Sequence, residues 1–142
     1  MAQDAPPVSL AFQRAGRVHT ICIVEDDEAV RDSLRALLET HRLTVADFAT
    51  PQALLASGPL SDFDCFIVDF QMPGMNGLEL VEALRARGVS RCAIVISAAR
   101  ATAPRERMTK AGVIAWLPKP VPEPDLLDWI QRAIDCTPVS LQ

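Results

Sequence analysis

The chain has 142 residues, 49% of them hydrophobic and 23% charged, with a formal net charge of −4. That is enough apolar material for one substantial core, and the acidic balance gives no nucleic-acid footprint. Charges interrupt every apolar run short of the roughly 20 residues a membrane span needs. The start, Met1-Ala2-Gln3-Asp4, lacks a signal peptide's basic and apolar regions, so the expected compartment is the cytoplasm.

Residues 1–18, with Pro6-Pro7, read as a flexible N-terminal extension. Ile21-Cys22-Ile23-Val24 is a short buried strand that runs into Glu25-Asp26-Asp27. Val30, Leu34, Leu37 and Leu38 then repeat at the spacing of a buried helix stripe. A second strand near 43–47 and a short helix near 51–57 are expected next, then a third strand over 63–68 that stops at Asp69. After the loop Phe70-Gln71-Met72-Pro73-Gly74-Met75, Asn76 with Glu79 forms a capping-box pattern. The helix it opens carries Leu80, Val81 and Leu84 inward and ends near Gly88. Strand four, 92–96, stops at Ser97. A short basic helix (Arg105, Arg107, Lys110) begins around Pro104 and stops at Gly112. Strand five, 113–117, leads to Lys119-Pro120. Prolines 118, 120, 122 and 124 delay the last helix, whose Leu126, Ile130, Ala133 and Ile134 face the sheet. One domain spans 19–136, and 137–142 is a tail.

Apolar strands alternating with helix-period segments predict an α/β fold with a parallel sheet. In such sheets ligands bind outside the carboxyl ends of the strands. The acidic pair, Asp69, Ser97 and Lys119 would therefore meet at one edge. Clustered carboxylates repel by roughly 4 kcal/mol per pair at 4 Å in a medium of effective dielectric 20, so such a group calls for a cation. All-oxygen acidic ligands suit Mg²⁺. A strand-end aspartate can act as a nucleophile toward phosphorus, with lysine and hydroxyl holding the remaining phosphoryl oxygens.

Each residue also has a plainer reading. Asp26 and Asp27 could be helix N-caps, Ser97 a turn residue, Lys119 a solvated charge and Trp116 core. His41, at a helix end, suggests a dipole or solvent contact, and His19 opens strand one. Cys22, Cys65 and Cys92 fall in expected strands without CxxC spacing. They read as small buried hydrophobes rather than ligands or disulfide partners; Cys136 carries no signal.

Taken together, Asp26-Asp27, Asp69, Pro73-Gly74-Met75-Asn76-Gly77, Ser97 and Lys119-Pro120 resemble a response-regulator receiver domain. The stretch from Glu25 to Leu34 is similar to receivers of the FixJ type, and the likeness covers roughly 19–136. It implies a single-domain, doubly wound, flavodoxin-like five-stranded parallel sheet in the order 2-1-3-4-5, with helices on both faces. Asp69 would accept phosphate from a histidine kinase or histidine phosphotransfer protein. Mg²⁺ would be held by Asp26, Asp27, Asp69 and the Gln71 backbone carbonyl. Lys119, before a cis peptide to Pro120, would pair with the phosphoryl group, Ser97 would swing toward it, and Trp116 would follow inward. Gln71 and Ala99 flank the path of hydrolytic water and modulate the lifetime.

Output would pass by protein contact, to a downstream target or a self-dimer, through the face of the fourth helix, fifth strand and fifth helix. Neither nucleic acid nor membrane is engaged directly, and the chain acts as no enzyme beyond its own phosphorylation and dephosphorylation. The alternatives are the receiver part of a longer DNA-binding regulator and a phosphorylation-independent interaction module. A haloacid-dehalogenase-type phosphatase would need an acid where Gln71 stands, and a dinucleotide-binding module would need a glycine-rich first loop where this chain is acidic.

Overall fold

In the residues that the computed structural model describes, 18–98 and 105–136, strands and helices alternate from β1 to α5. The strands are β1 (Thr20–Val24), β2 (Thr44–Phe48), β3 (Cys65–Asp69), β4 (Ala93–Ser97) and β5 (Val113–Pro118). The helices are α1 (Glu28–Thr40), α2 (Pro51–Leu55), α3 (Gly77–Ala86), α4 (Arg105–Ala111) and α5 (Glu123–Asp135). All pairings are parallel and the sheet order is β2-β1-β3-β4-β5, as the resemblance implied.

Period-two side-chain direction divides this sheet into two cores. Ile21, Ile23, Cys65, Ile67, Ile94 and Ile96 pack on one face, beneath Leu38 of α1 and Leu126, Ile130 and Ala133 of α5. Cys22, Val24, Phe66, Val68, Ala93 and Val95 pack on the other, beneath Leu54 of α2, Leu80, Val81 and Leu84 of α3, and Met108 of α4. A strand covered on both sides needs apolar residues at every position, which is why these runs are continuous rather than alternating. β3 begins two residues later than the expected 63 and β4 one later than 92, and each ends one residue later than expected, so Asp69 and Ser97 are the last residues of their strands.

The capping box at α3 is present in both directions. Glu79 N donates to Asn76 Oδ1 at 2.8 Å, and Asn76 N donates to Glu79 Oε1 at 2.9 Å. The base of the same helix carries a feature with no sequence signal. The Arg85 guanidinium donates to four main-chain carbonyls: Ala111 at 2.6 Å, Arg91 at 2.7 Å, Val89 at 3.0 Å and Gly112 at 3.4 Å. One side chain thereby ties the end of α3 to the segment entering β4 and the turn between α4 and β5. Burial pulls the guanidinium down to about 10, which leaves it charged at neutral pH.

Two expectations change. Cys92 and Cys136 are joined by a disulfide, not separate; spacing along the chain carries no trace of how parallel packing brings the start of β4 to the end of α5. His41 is buried rather than solvated, with Nε2 3.5 Å from Glu123 of α5. His19 is also buried, its Nδ1 3.6 Å from the Asp64 carboxylate. Residues 1–17, Ala99, Pro104 and 137–142 lie outside the described residues, as do the expectations placed on them.

Candidate functional site

The chain leaves β1 toward β2 on one side and returns to β3 on the other, so a crevice opens between the carboxyl ends of β1 and β3. Glu25 and Asp26 enter it directly after β1. Glu25 N donates to Phe48 O at 3.1 Å, which carries the β1–β2 ladder one step further and holds this segment in line. Asp69 enters from the end of β3. Phe70 N bonds Ile96 O at 2.7 Å, and Gly77 N bonds Phe70 O at 2.8 Å, closing the loop behind it. A Cβ at Gly77 would lie 2.6 Å from the Asp69 carbonyl oxygen and 3.0 Å from Phe70 Cα. Only glycine lets α3 start this close to the Asp69 main chain.

One carboxylate oxygen each from Glu25, Asp26 and Asp69 come within 4.8 Å of one another. Glu25 and Asp69 are buried and Asp26 is exposed, so the group opens to solvent on one side. Lys119, just after β5, reaches in from the opposite edge. Its Nζ stands 3.0 Å from Glu25 Oε1 and 3.4 Å from Asp69 Oδ1, and its backbone N donates to Ser97 O at 2.8 Å. The peptide from Lys119 to Pro120 is cis, as the resemblance implied.

Burial pushes the Glu25 carboxyl above its ordinary value. The Asp27 N–H and the Lys119 ammonium oppose that, and the Asp69 charge adds to it. Burial works against the Lys119 ammonium too, yet the bond to Glu25 and the charges of Glu25 and Asp69 outweigh it and leave the lysine raised. Three carboxylates thus face one ammonium. The donor set is all oxygen, and the buried Asp69 Oδ1 accepts no hydrogen bond. Both properties fit a hard divalent cation.

Asp27, expected as a metal ligand, caps α1 and is not among the three carboxylates that come together. Its side chain accepts from Val30 N at 3.1 Å with its backbone extended, and its own N–H donates to Glu25 Oε2 at 3.1 Å. The third of three consecutive acids falls where α1 needs an N-cap, so the inward pair is Glu25 and Asp26. Sequence reasoning missed Glu25. The signal was available: with the helix stripe starting at Val30, the acid at N-cap distance had to be Asp27.

Ser97 is fully buried at the end of β4, beside Pro118 in register. Trp116 is half-buried on β5, its ring 4.9 Å from that of Phe70 and tilted 35°. It therefore touches the residue that follows Asp69. Gln71 is exposed in the loop after β3.

Residues 21–131 match the family described as the response regulator receiver domain. The chain is 32% identical over 112 residues to the transcriptional regulatory protein FixJ of Azorhizobium caulinodans, covering 79% of this chain and 53% of that protein. It is 33% identical over 117 residues to the C4-dicarboxylate transport transcriptional regulatory protein DctR of Rhodobacter capsulatus, covering 81% and 59%. The chain thus spans about half the length of these relatives. Among solved structures it resembles the response regulator StyR, with a TM-score of 0.77, 34% identity and coverage of 83% and 60%. It also resembles the crystal structure of FixJ-N, with a TM-score of 0.76, 28% identity and coverage of 85% and 97%.

Proposed function

The chain belongs to the response regulator receiver domain family, whose members accept a phosphoryl group on an aspartate, and from that premise we propose that Asp69 is the acceptor here. The observation that carries this reading is Asp69 Oδ1: buried, accepting no hydrogen bond, and 3.4 Å from the Lys119 ammonium. An anionic carboxylate oxygen held beside a cation and engaged by no close hydrogen bond is available as a nucleophile. The donor is a phosphohistidine of a histidine kinase or phosphotransfer protein. Asp69 attacks phosphorus, the P–N bond breaks, and its electron pair leaves with the imidazole nitrogen.

Glu25, Asp26 and Asp69 would hold Mg²⁺, with the Gln71 carbonyl completing the protein's share. The ion supplies charge neutralisation on the phosphoryl group as it transfers. Lys119 exchanges its present carboxylate partners for a phosphoryl oxygen. Ser97 offers its hydroxyl, and Trp116, resting on Phe70, adjusts to the volume that Ser97 leaves. The added charge and acceptor oxygens bias a two-state equilibrium of the last third of the chain. An apolar groove between α1 and the start of α5, lined by Leu34, Leu37, Val121 and Leu126 beside Lys119, suits a helix presenting the phosphohistidine. The face of α4, β5 and α5, with Met108, Trp116 and Trp129 around a second groove, suits the output contact.

Treatment with a small phosphodonor and Mg²⁺ tests the reading: intact mass rises by one phosphoryl group, and a chelator prevents it. A mass unchanged with Mg²⁺ present refutes the assignment.

Mg²⁺ affinity is expected to fall roughly tenfold or more in Glu25→Gln and Asp26→Asn, since each loses a ligand charge. Asp27→Asn should keep the affinity within about twofold, because asparagine caps a helix as well as aspartate. Calorimetric titration of the three variants reads this directly; a loss in Asp27→Asn equal to that in Asp26→Asn would return Asp27 to the ligand set.

Gln71 is long enough to lie over the phosphoryl group and occupy the place of the attacking water. Loss of phosphate is therefore expected to be faster in Gln71→Ala than in the wild type. A slower decay would show that the amide orients the water instead.

A further inference from the structure

Cys92 and Cys136 lie at the end of the sheet away from the acidic crevice. Cys92 immediately precedes β4 and Cys136 immediately follows α5. Their bond joins positions 44 residues apart and closes a loop holding β4, α4, β5 and α5. That loop contains Ser97, Trp116 and Lys119. The two residues differ in exposure: Cys92 is buried, whereas Cys136 is half-buried at the point where the chain leaves the helix with φ −77° and ψ 155°.

A third cysteine adjoins the pair. Cys65 stands one step before the Phe66–Ala93 register pair, opposite Cys92, and shares its core cluster. It is fully enclosed, and burial raises its thiol far from the thiolate form. Since only a thiolate attacks a disulfide, Cys65 does not rearrange the bond from within. Exchange has to come from outside, through Cys136.

We propose that the Cys92–Cys136 pair is a reversible redox modification site, whose reduction by a dithiol releases the end of α5 from the base of β4 and loosens the last third of the chain while β1 and β3 stay packed. A thiolate of the dithiol attacks Cys136 Sγ. The Cys92–Cys136 bond breaks, and Cys92 leaves as a thiolate and takes a proton. The second thiol of the reductant then displaces Cys136, which leaves as a thiol, and the reductant departs as a disulfide carrying the two hydrogens fewer. The cross-link acts mainly by narrowing the freedom of the loop it closes. Breaking it therefore raises opening of the enclosed elements, not of the strands outside it. None of this depends on Asp69 being phosphorylated.

The test is thiol counting with hydrogen exchange on the whole chain, oxidised with glutathione disulfide or reduced with dithiothreitol. Unfolded after oxidation, the chain should show two reactive thiols, Cys22 and Cys65, and after reduction four. Amide exchange in β5 and α5 should speed roughly tenfold on reduction, with β1 and β3 unchanged. Cys136→Ser should show the fast pattern in both buffers. Four thiols after oxidation, equal exchange in both states, or exchange that rises across β1 and β3 as well would each overturn the proposal. In the last case the bond is a staple of the whole fold.

Discussion

Asp69→Asn should take up no detectable phosphoryl group from a small phosphodonor with Mg²⁺, a loss of at least about a hundredfold. The amide keeps the shape of the side chain but has no anionic oxygen to attack phosphorus. The fold should survive the change. Asp69 shares its crevice with Glu25 and Asp26, so removing its charge relieves repulsion, while Lys119 keeps its 3.0 Å partner in Glu25. Without Mg²⁺ the variant should melt no lower than the wild type. Intact mass and thermal melting on the same sample separate the two effects. Phosphoryl uptake persisting in a folded Asp69→Asn would place the acceptor elsewhere.

Arg85→Met should be the most damaging change away from the crevice. It keeps the apolar stem and removes the donors to four carbonyls. Each hydrogen bond from a charged group contributes roughly 1.5–3 kcal/mol, and the carbonyls left behind are only partly reached by water. A loss of about 3 kcal/mol or more is expected, equivalent to a melting point about 10 °C lower for a domain of this size. Arg85→Lys should recover only a minority of it, since a compact ammonium cannot span four carbonyls on two segments. Urea denaturation of both variants measures this. A Met variant within about 0.5 kcal/mol of wild type would show that solvent serves these carbonyls equally well.

Much of the architecture is legible in the chain because the sheet is covered on both faces. Ile21-Cys22-Ile23-Val24 and Ala93-Ile94-Val95-Ile96 are unbroken apolar runs, and each ends at a polar group with a reason to stop there. Asn76 and Glu79 announce α3 because capping is local chemistry three residues apart. What is not legible is long-range. Arg85 looks like any surface arginine in a helix, since its acceptors come from segments that meet only on folding. The Cys92–Cys136 bond and the burial of His41 against Glu123 are hidden for the same reason. Asp27 is a different case: its role as the cap of α1 is local chemistry, legible from the helix stripe that starts at Val30.

The glycine at the start of α3 has a mechanical corollary. With no room for even a methyl group between Gly77 and the Asp69 carbonyl, this flank of the crevice is main chain against main chain and cannot be compressed. On the opposite flank the Lys119 side chain reaches the carboxylates, and beyond it the Trp116 ring leans on Phe70. The pocket is stiff on one wall and compliant on the other. Strain imposed at Asp69 would thus find room toward β4 and β5 and none toward the start of α3.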